Sequence, residues 1–184
     1  VLYTGRFGSF GRDPSALAEA LGRLRPEDAS RLELAVAGPL RPDERTLLEA
    51  IPDPVKVTLL GSLEAPRALE LQRRADALLL LAQPARSQLL NFKLFEYLAA
   101  GRPILALCAG TEAGRVAREV GIDPVMRADA PEAIATALAT AARGELRGPD
   151  AGAAERYAYP AAAEAMAVLL RPGEDFERSP AERP

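Results

Sequence analysis

The sequence has no histidine and only one cysteine, Cys108. A Ser-His-Asp triad and any imidazole general base are therefore excluded, and no internal disulfide can form. A zinc site would have to be built from carboxylates alone, an unusual donor set for that ion. Long hydrophobic runs are also missing. The longest, at 77–82, falls well short of the ~18–20 apolar residues of a membrane-spanning helix and suits a buried strand. The first residues show no signal-peptide pattern. Positive charge is not in excess, since the formal net charge is −3. No global field calls for nucleic acid or an anionic membrane, so any anionic ligand must be held by a local cluster. The expectation is a cytoplasmic protein.

What is present suits one α/β domain: 184 residues can build one full hydrophobic core but not two large ones. Strand-like runs fall at 1–5, 32–37, 55–60, 77–82, 103–107 and, weakly, 124–127. Several are continuously apolar rather than alternating, as parallel strands covered on both faces are. Helical signals lie between them. Asp13-Pro14 reads as an N-cap followed by proline, with Leu17, Leu21 and Leu24 on one face behind it. Asp129 and Glu132 read as a capping box ahead of Ile134, Leu138 and Ala141. A helix at 91–100 meets a strong stop in Gly101 and Pro103. This alternation predicts right-handed βαβ units and a Rossmann-like, doubly wound parallel sheet of about six strands.

Beyond 142 the texture changes. Residues 143–152 read as a loop and 155–170 as a final helix interrupted near Tyr159-Pro160, so the expected domain is 1–170. The charged, proline-rich segment 171–184 reads as a mobile tail. The opening Val1-Leu2-Tyr3-Thr4 looks like a strand already under way. That predicts a fragment whose N-terminal domain is missing.

In open parallel sheets ligands sit at the carboxyl ends of the strands, where helix N-termini present free N–H groups to anions. The loop after the first strand holds Gly5, Gly8 and Gly11, flanked by Arg6 and Arg12. The glycines let backbone approach a ligand, and the arginines supply planar donor forks suited to phosphate. The loop also reads as a flexible surface turn with solvated arginines. Its G-x-x-G-x-x-G spacing is not the dinucleotide fingerprint, and the second strand ends Ala37-Gly38-Pro39 without a ribose-holding acid. Both features weigh against an NAD enzyme. In the helix at 91–100, Lys93 stands in the first turn, where it can face an anion, and Glu96 one turn on can accept from a pair of sugar hydroxyls. The two also read as an ordinary (i, i+3) surface pair, worth roughly a few tenths of a kcal/mol. Cys108 reads as a buried free thiol, Glu112 as a cap of its own helix, and Tyr157 and Tyr159 as packing residues.

The stretch Lys93-Leu94-Phe95-Glu96-Tyr97-Leu98-Ala99-Ala100-Gly101-Arg102-Pro103-Ile104-Leu105 resembles the C-terminal-domain signature of retaining GT-B glycosyltransferases of family four. Other pieces follow in that family's order. Tyr3-Thr4-Gly5-Arg6 with Arg12-Asp13-Pro14 resembles its opening strand and phosphate loop, and Val57-Thr58-Leu59-Leu60-Gly61-Ser62-Leu63 the strand leading to the nucleobase loop. Arg74-Ala75-Asp76-Ala77-Leu78-Leu79-Leu80-Leu81 resembles another family strand, and Glu155-Arg156-Tyr157-Ala158-Tyr159 the aromatic turn before the last helix. The likeness spans roughly 1–170.

The resemblance implies the domain that binds a nucleoside-diphosphate-sugar such as a UDP- or GDP-sugar, in an enzyme of polysaccharide or glycoconjugate synthesis. Arg6, Arg12 and Lys93 would stabilise the leaving diphosphate, helped by Gly5 and by N–H groups near Leu90 and Asn91. Glu96 would bind ribose hydroxyls, while Gly61, Ser62 and Leu63 would line the base. The design implies no metal ion. The partner would be the N-terminal GT-B domain, which supplies the acceptor site and any peripheral contact with the inner face of the membrane. The fragment alone would transfer nothing. Two positions depart from the pattern. The first glutamate of the family's E-x7-E motif is Gln88 here, which changes the donor-sugar contact. The phosphate-loop lysine, expected at Gly11, is replaced by the neighbouring Arg12. The competing readings are half of a nucleotide-sugar epimerase and a non-catalytic Rossmann-like binding or interaction module.

Overall fold

The computed structural model describes residues 1–7, 13–82 and 92–158. Among the described residues there are six strands: β1 (Leu2–Thr4), β2 (Glu33–Ala37), β3 (Lys56–Gly61), β4 (Leu78–Leu81), β5 (Ile104–Leu107) and β6 (Val125–Met126). They form one parallel sheet in the order β3-β2-β1-β4-β5-β6. The helices are α1 (Ser15–Gly22), α2 (Pro26–Ala29), α3 (Pro42–Glu49), α4 (Ala65–Arg74), α5 (Lys93–Ala100), α6 (Glu112–Glu119), α7 (Pro131–Ala142) and α8 (Ala153–Arg156). All six expected strands are in place, in a doubly wound sheet.

The apolar runs are continuous because both faces of the sheet are covered. In β4 and β5, Leu79, Leu81, Leu105 and Leu107 join a core layer with Leu17 and Leu21 of α1, Leu48 of α3 and Ile134 and Leu138 of α7. Their neighbours Leu78, Leu80, Ile104 and Ala106 point the other way, into a layer with Leu94, Tyr97 and Leu98 of α5 and Val116 and Ala117 of α6. The period-two alternation of a strand is therefore hidden in the sequence: each position finds apolar partners on its own side. Each fully buried leucine stabilises the fold by about 1.5–3 kcal/mol. At the outer edge, β3 carries exposed Lys56, which pairs with Glu33 of β2 at 3.1 Å. A charge on an edge strand discourages pairing with another chain.

Helix ends depart from the sequence expectations in three places. The N-cap of α1 is Pro14, and Asp13 acts from one residue further out, its Oδ1 accepting from the Ser15 N–H at 2.8 Å. The capping box of α7 does not form. Ala130 is the N-cap, with Pro131 behind it. Asp129 is taken by Arg127 at 2.8 and 2.5 Å, and Glu132 by Arg23 at 2.5 Å. Arg127 holds Asp129, while Glu132 is shared between its own backbone N–H and Arg23, 109 positions away. Helix α6 is capped by Thr111, not Glu112. The Thr111 hydroxyl accepts from Gly114 N–H at 3.1 Å and donates to the Cys108 carbonyl at 2.7 Å. Glu112 instead pairs with Arg115. The stop of α5 is as expected, with Gly101 left-handed at φ 65°.

One buried carboxylate ties the periphery of the sheet together. Asp28 of α2 is 2% exposed and accepts from Arg25 at 2.9 Å and from Arg143, beyond the end of α7, at 3.0 Å. These hydrogen bonds, Arg25's first, hold its carboxyl below the usual carboxylate range. The expected final helix is described only as far as α8 and Tyr157. The Tyr157 ring packs on Phe95 at 5.3 Å, while Tyr159 and the segment 171–184 lie outside the described residues. Cys108 is fully buried, as its position after β5 suggests.

Candidate functional site

Strand β1 pairs with β2 on one side and β4 on the other. The helix after β1 packs on one face of the sheet and the helix after β4 on the opposite face. The topological switch point of the sheet therefore lies between β1 and β4, and sheets of this kind take ligands beside the carboxyl ends of the strands there.

Two anchors hold the start of the loop after β1. Tyr3 stacks on the fully buried Phe7, with ring centroids 4.1 Å apart and planes at 11°. The Tyr3 hydroxyl donates to the Arg6 carbonyl at 3.1 Å. Arg6 thus sits between two fixed aromatic residues and turns an exposed side chain outward. Next to it the strand ends are laced together. Gly5 N–H donates to the Ala37 carbonyl at 2.8 Å and Gly38 N–H to the Gly61 carbonyl at 2.7 Å. A Cβ on Gly38 would lie 1.8 Å from the Gly5 carbonyl oxygen. Only glycine allows this approach. It brings Gly5 and Gly61, from loops far apart in sequence, to one edge of the sheet. Ser62 is exposed there, and Leu63 packs against the second core layer.

Helix α5 is fastened to the same edge. The Tyr97 hydroxyl accepts from Thr4 N–H at 3.1 Å and lies 3.2 Å from Thr4 Oγ1. Tyr97 is fully buried, and burial raises its pKa. One turn earlier Lys93 Nζ donates to Glu96 Oε2 at 2.6 Å, both side chains being partly exposed. Gln72 of α4 completes the cluster, with Nε2 at 2.9 Å from Thr4 Oγ1 and 3.4 Å from Glu96 Oε2.

The structure thus joins Lys93 with Glu96 and ties them through Gln72 and Tyr97 to the end of β1, the residue pair before Arg6. Arg12, Gln88, Leu90 and Asn91 lie outside the described residues. The supporting residues Thr4, Gln72, Tyr97 and Phe7 did not stand out as site residues in the sequence. A cleft of about 500 Å³ lies elsewhere, at the amino end of β3, lined by Arg45, Glu49, Asp53 and Lys56 among others. It is remote from the strand ends that carry this cluster.

The family model of glycosyl transferases group 1 matches residues 1–143. None of the curated proteins matches the sequence. Among solved structures, WaaG, a glycosyltransferase involved in lipopolysaccharide biosynthesis, superposes with a TM-score of 0.58 at 20% identity, over 93% of this chain and 47% of that one. Anabaena HepE, in complex with UDP and glucose, gives 0.56 at 16% identity, over 91% and 47%. The catalytic domain of a cholesterol-α-glucosyltransferase from Helicobacter pylori gives 0.52 at 17% identity, over 89% and 98%. The chain spans about half the length of the first two.

Proposed function

This chain belongs to the group 1 glycosyl transferases, and we propose that it is the half of such an enzyme that binds the nucleoside-diphosphate-sugar donor. One observation carries the reading. The Lys93–Glu96 pair in the first turn of α5 is bonded through Gln72 to Thr4, two residues before Arg6, beside the switch point of the sheet.

Sugar transfer breaks the bond between the anomeric carbon and the diphosphate oxygen, and negative charge grows on that leaving oxygen. Fixed cations and helix N–H groups stabilise it best where water is excluded. In this reading Arg6, Arg12 and Lys93 hold the diphosphate, with N–H groups near Leu90 and Asn91, which precede α5 in the sequence, adding to the field. The Lys93 ammonium is then shared between Glu96 and a phosphate. Glu96 accepts from ribose hydroxyls, Gly61, Ser62 and Leu63 line the base, and Gln88 meets the donor sugar as a neutral amide. Transfer proceeds with retention of configuration and needs an acceptor domain as partner, so this half alone binds donor and transfers nothing. The diphosphate is held by side-chain cations without a metal ion.

Calorimetric titration with UDP, GDP and ADP tests the reading. UDP comes first because the HepE structure is a complex with UDP and glucose. Arg6→Ala and Lys93→Ala each remove a charge-assisted contact of about 1.5–3 kcal/mol, which weakens binding roughly tenfold or more. EDTA leaves the affinity unchanged. A folded sample that binds none of the three nucleotides ends the donor-site reading, and unchanged affinity in either variant removes that residue from the site.

A further inference from the structure

We propose that Gln72 is a positioning residue that orients Glu96 toward the ribose of the donor, an inference that rests on the donor-site reading above. Gln72 belongs to α4, a helix whose other described residues are half-buried or exposed, yet it is 1% exposed. Its amide reaches two site residues at once, Thr4 Oγ1 at 2.9 Å and Glu96 Oε2 at 3.4 Å. A carboxylate can only accept, so the nitrogen of the amide must face Glu96. That choice turns the amide oxygen away, and Gln72 Oε1 is buried without a hydrogen-bond partner among the described residues.

A buried carbonyl oxygen left unsatisfied destabilises a fold, and a leucine or methionine of similar volume would avoid it. The fold therefore carries a local defect at a residue whose side chain links Glu96 to the end of β1. Defects of this kind collect where a site, rather than packing, dictates the residue. The Gln72 and Lys93 contacts both load the same oxygen, Oε2 of Glu96. A carboxylate held by one oxygen presents the other to a hydroxyl donor in fixed orientation. Gln72 is thus to Glu96 what the partners behind a metal ligand are to that ligand: it does not touch the donor but fixes the group that does.

The test compares UDP, 2′,3′-dideoxy-UDP and inorganic pyrophosphate, titrated into the wild-type chain, Gln72→Leu and Gln72→Met, with a thermal melt of each. The wild type is expected to prefer UDP to the dideoxy analogue roughly tenfold, the worth of a hydrogen bond to a charged group. In both variants that ratio falls toward one, pyrophosphate affinity stays unchanged, and the melting temperature is the same or higher because the unsatisfied oxygen is gone. A folded variant that keeps the full ratio overturns the proposal. So does a failure of both variants to fold, which makes Gln72 a structural residue. A wild type that binds UDP but does not discriminate the dideoxy analogue removes Glu96 from the ribose, and the proposal with it. A wild type that binds no UDP at all overturns the donor-site reading itself.

Discussion

Cys108 shows what a side chain's surroundings do to its chemistry. It sits at the end of β5 with no exposed surface, and burial pushes its thiol pKa up to about 12. Thiolate, not thiol, is the nucleophile. At pH 8 the native protein should therefore resist a thiol reagent such as Ellman's for hours, and one equivalent should react on unfolding. Prompt labelling without unfolding would show the site to be open. That the cysteine is buried was legible in the sequence, because it follows a continuous apolar strand. Gln72 was not legible. Nothing separates a glutamine facing two site residues from the exposed Arg73 and Arg74 beside it until α4 is docked on β1. Tyr97 is a similar case: its hydroxyl partner, Thr4, stands 93 positions away. Arg6, Lys93 and Glu96 could be picked out because charge types at loop and helix starts carry a chemical expectation of their own.

Elements were legible where a backbone rule decided them and less so where side chains competed. The end of α5 followed from Gly101, whose left-handed conformation costs glycine little. The cap of α6 depended on which neighbour won. Thr111 is 7% exposed and bridges the Gly114 N–H and the Cys108 carbonyl, whereas Glu112 is drawn outward by Arg115. Thr111→Ala should therefore lower stability by about 0.5–2 kcal/mol, measured by urea unfolding. Glu112→Gln should leave the midpoint nearly unchanged, because exposed ion pairs contribute little. Equal effects of the two would return the capping role to Glu112. The lost capping box of α7 has the same cause. Asp129 and Glu132 match the motif, but Ala130 takes the N-cap position, and the two carboxylates pair with Arg127 and Arg23.

For the whole molecule, the count and parallel sense of the strands could be read from the apolar runs, but their spatial order could not. Nothing local in 1–5 or 77–82 says that these segments pair, since that depends on which helix covers which face. The titration of the fold is also a property of the whole. Without histidine, no imidazole titrates near neutrality. On the acid side, Asp28 has a folded pKa below its unfolded value of ~3.9. Its contribution is present above that value and is lost as pH falls through the folded pKa. On the alkaline side Cys108 has a folded pKa raised to about 12. Its contribution is present below the unfolded ~8.5 and declines above it by about 1.4 kcal/mol per pH unit, as the unfolded thiol ionises first. Denaturant midpoints across pH should therefore show falling shoulders below ~4 and above ~8.5. A Cys108→Ala variant should lose much of the alkaline shoulder.

The place of β1 in the sheet has a consequence for how the chain is made. Leu2 ends up between Ala35 of β2 and Leu78 of β4, so the strand that comes first in this sheet's chain order becomes an inner one. Its β2 side is closed early, but its other flank has no neighbour until the fourth strand emerges. A nascent chain paused or cut between 61 and 78 bears a bare strand flank beside leucine-rich surface, a template for pairing with other chains. Truncation within that window is therefore expected to yield aggregate rather than a stable half-sheet.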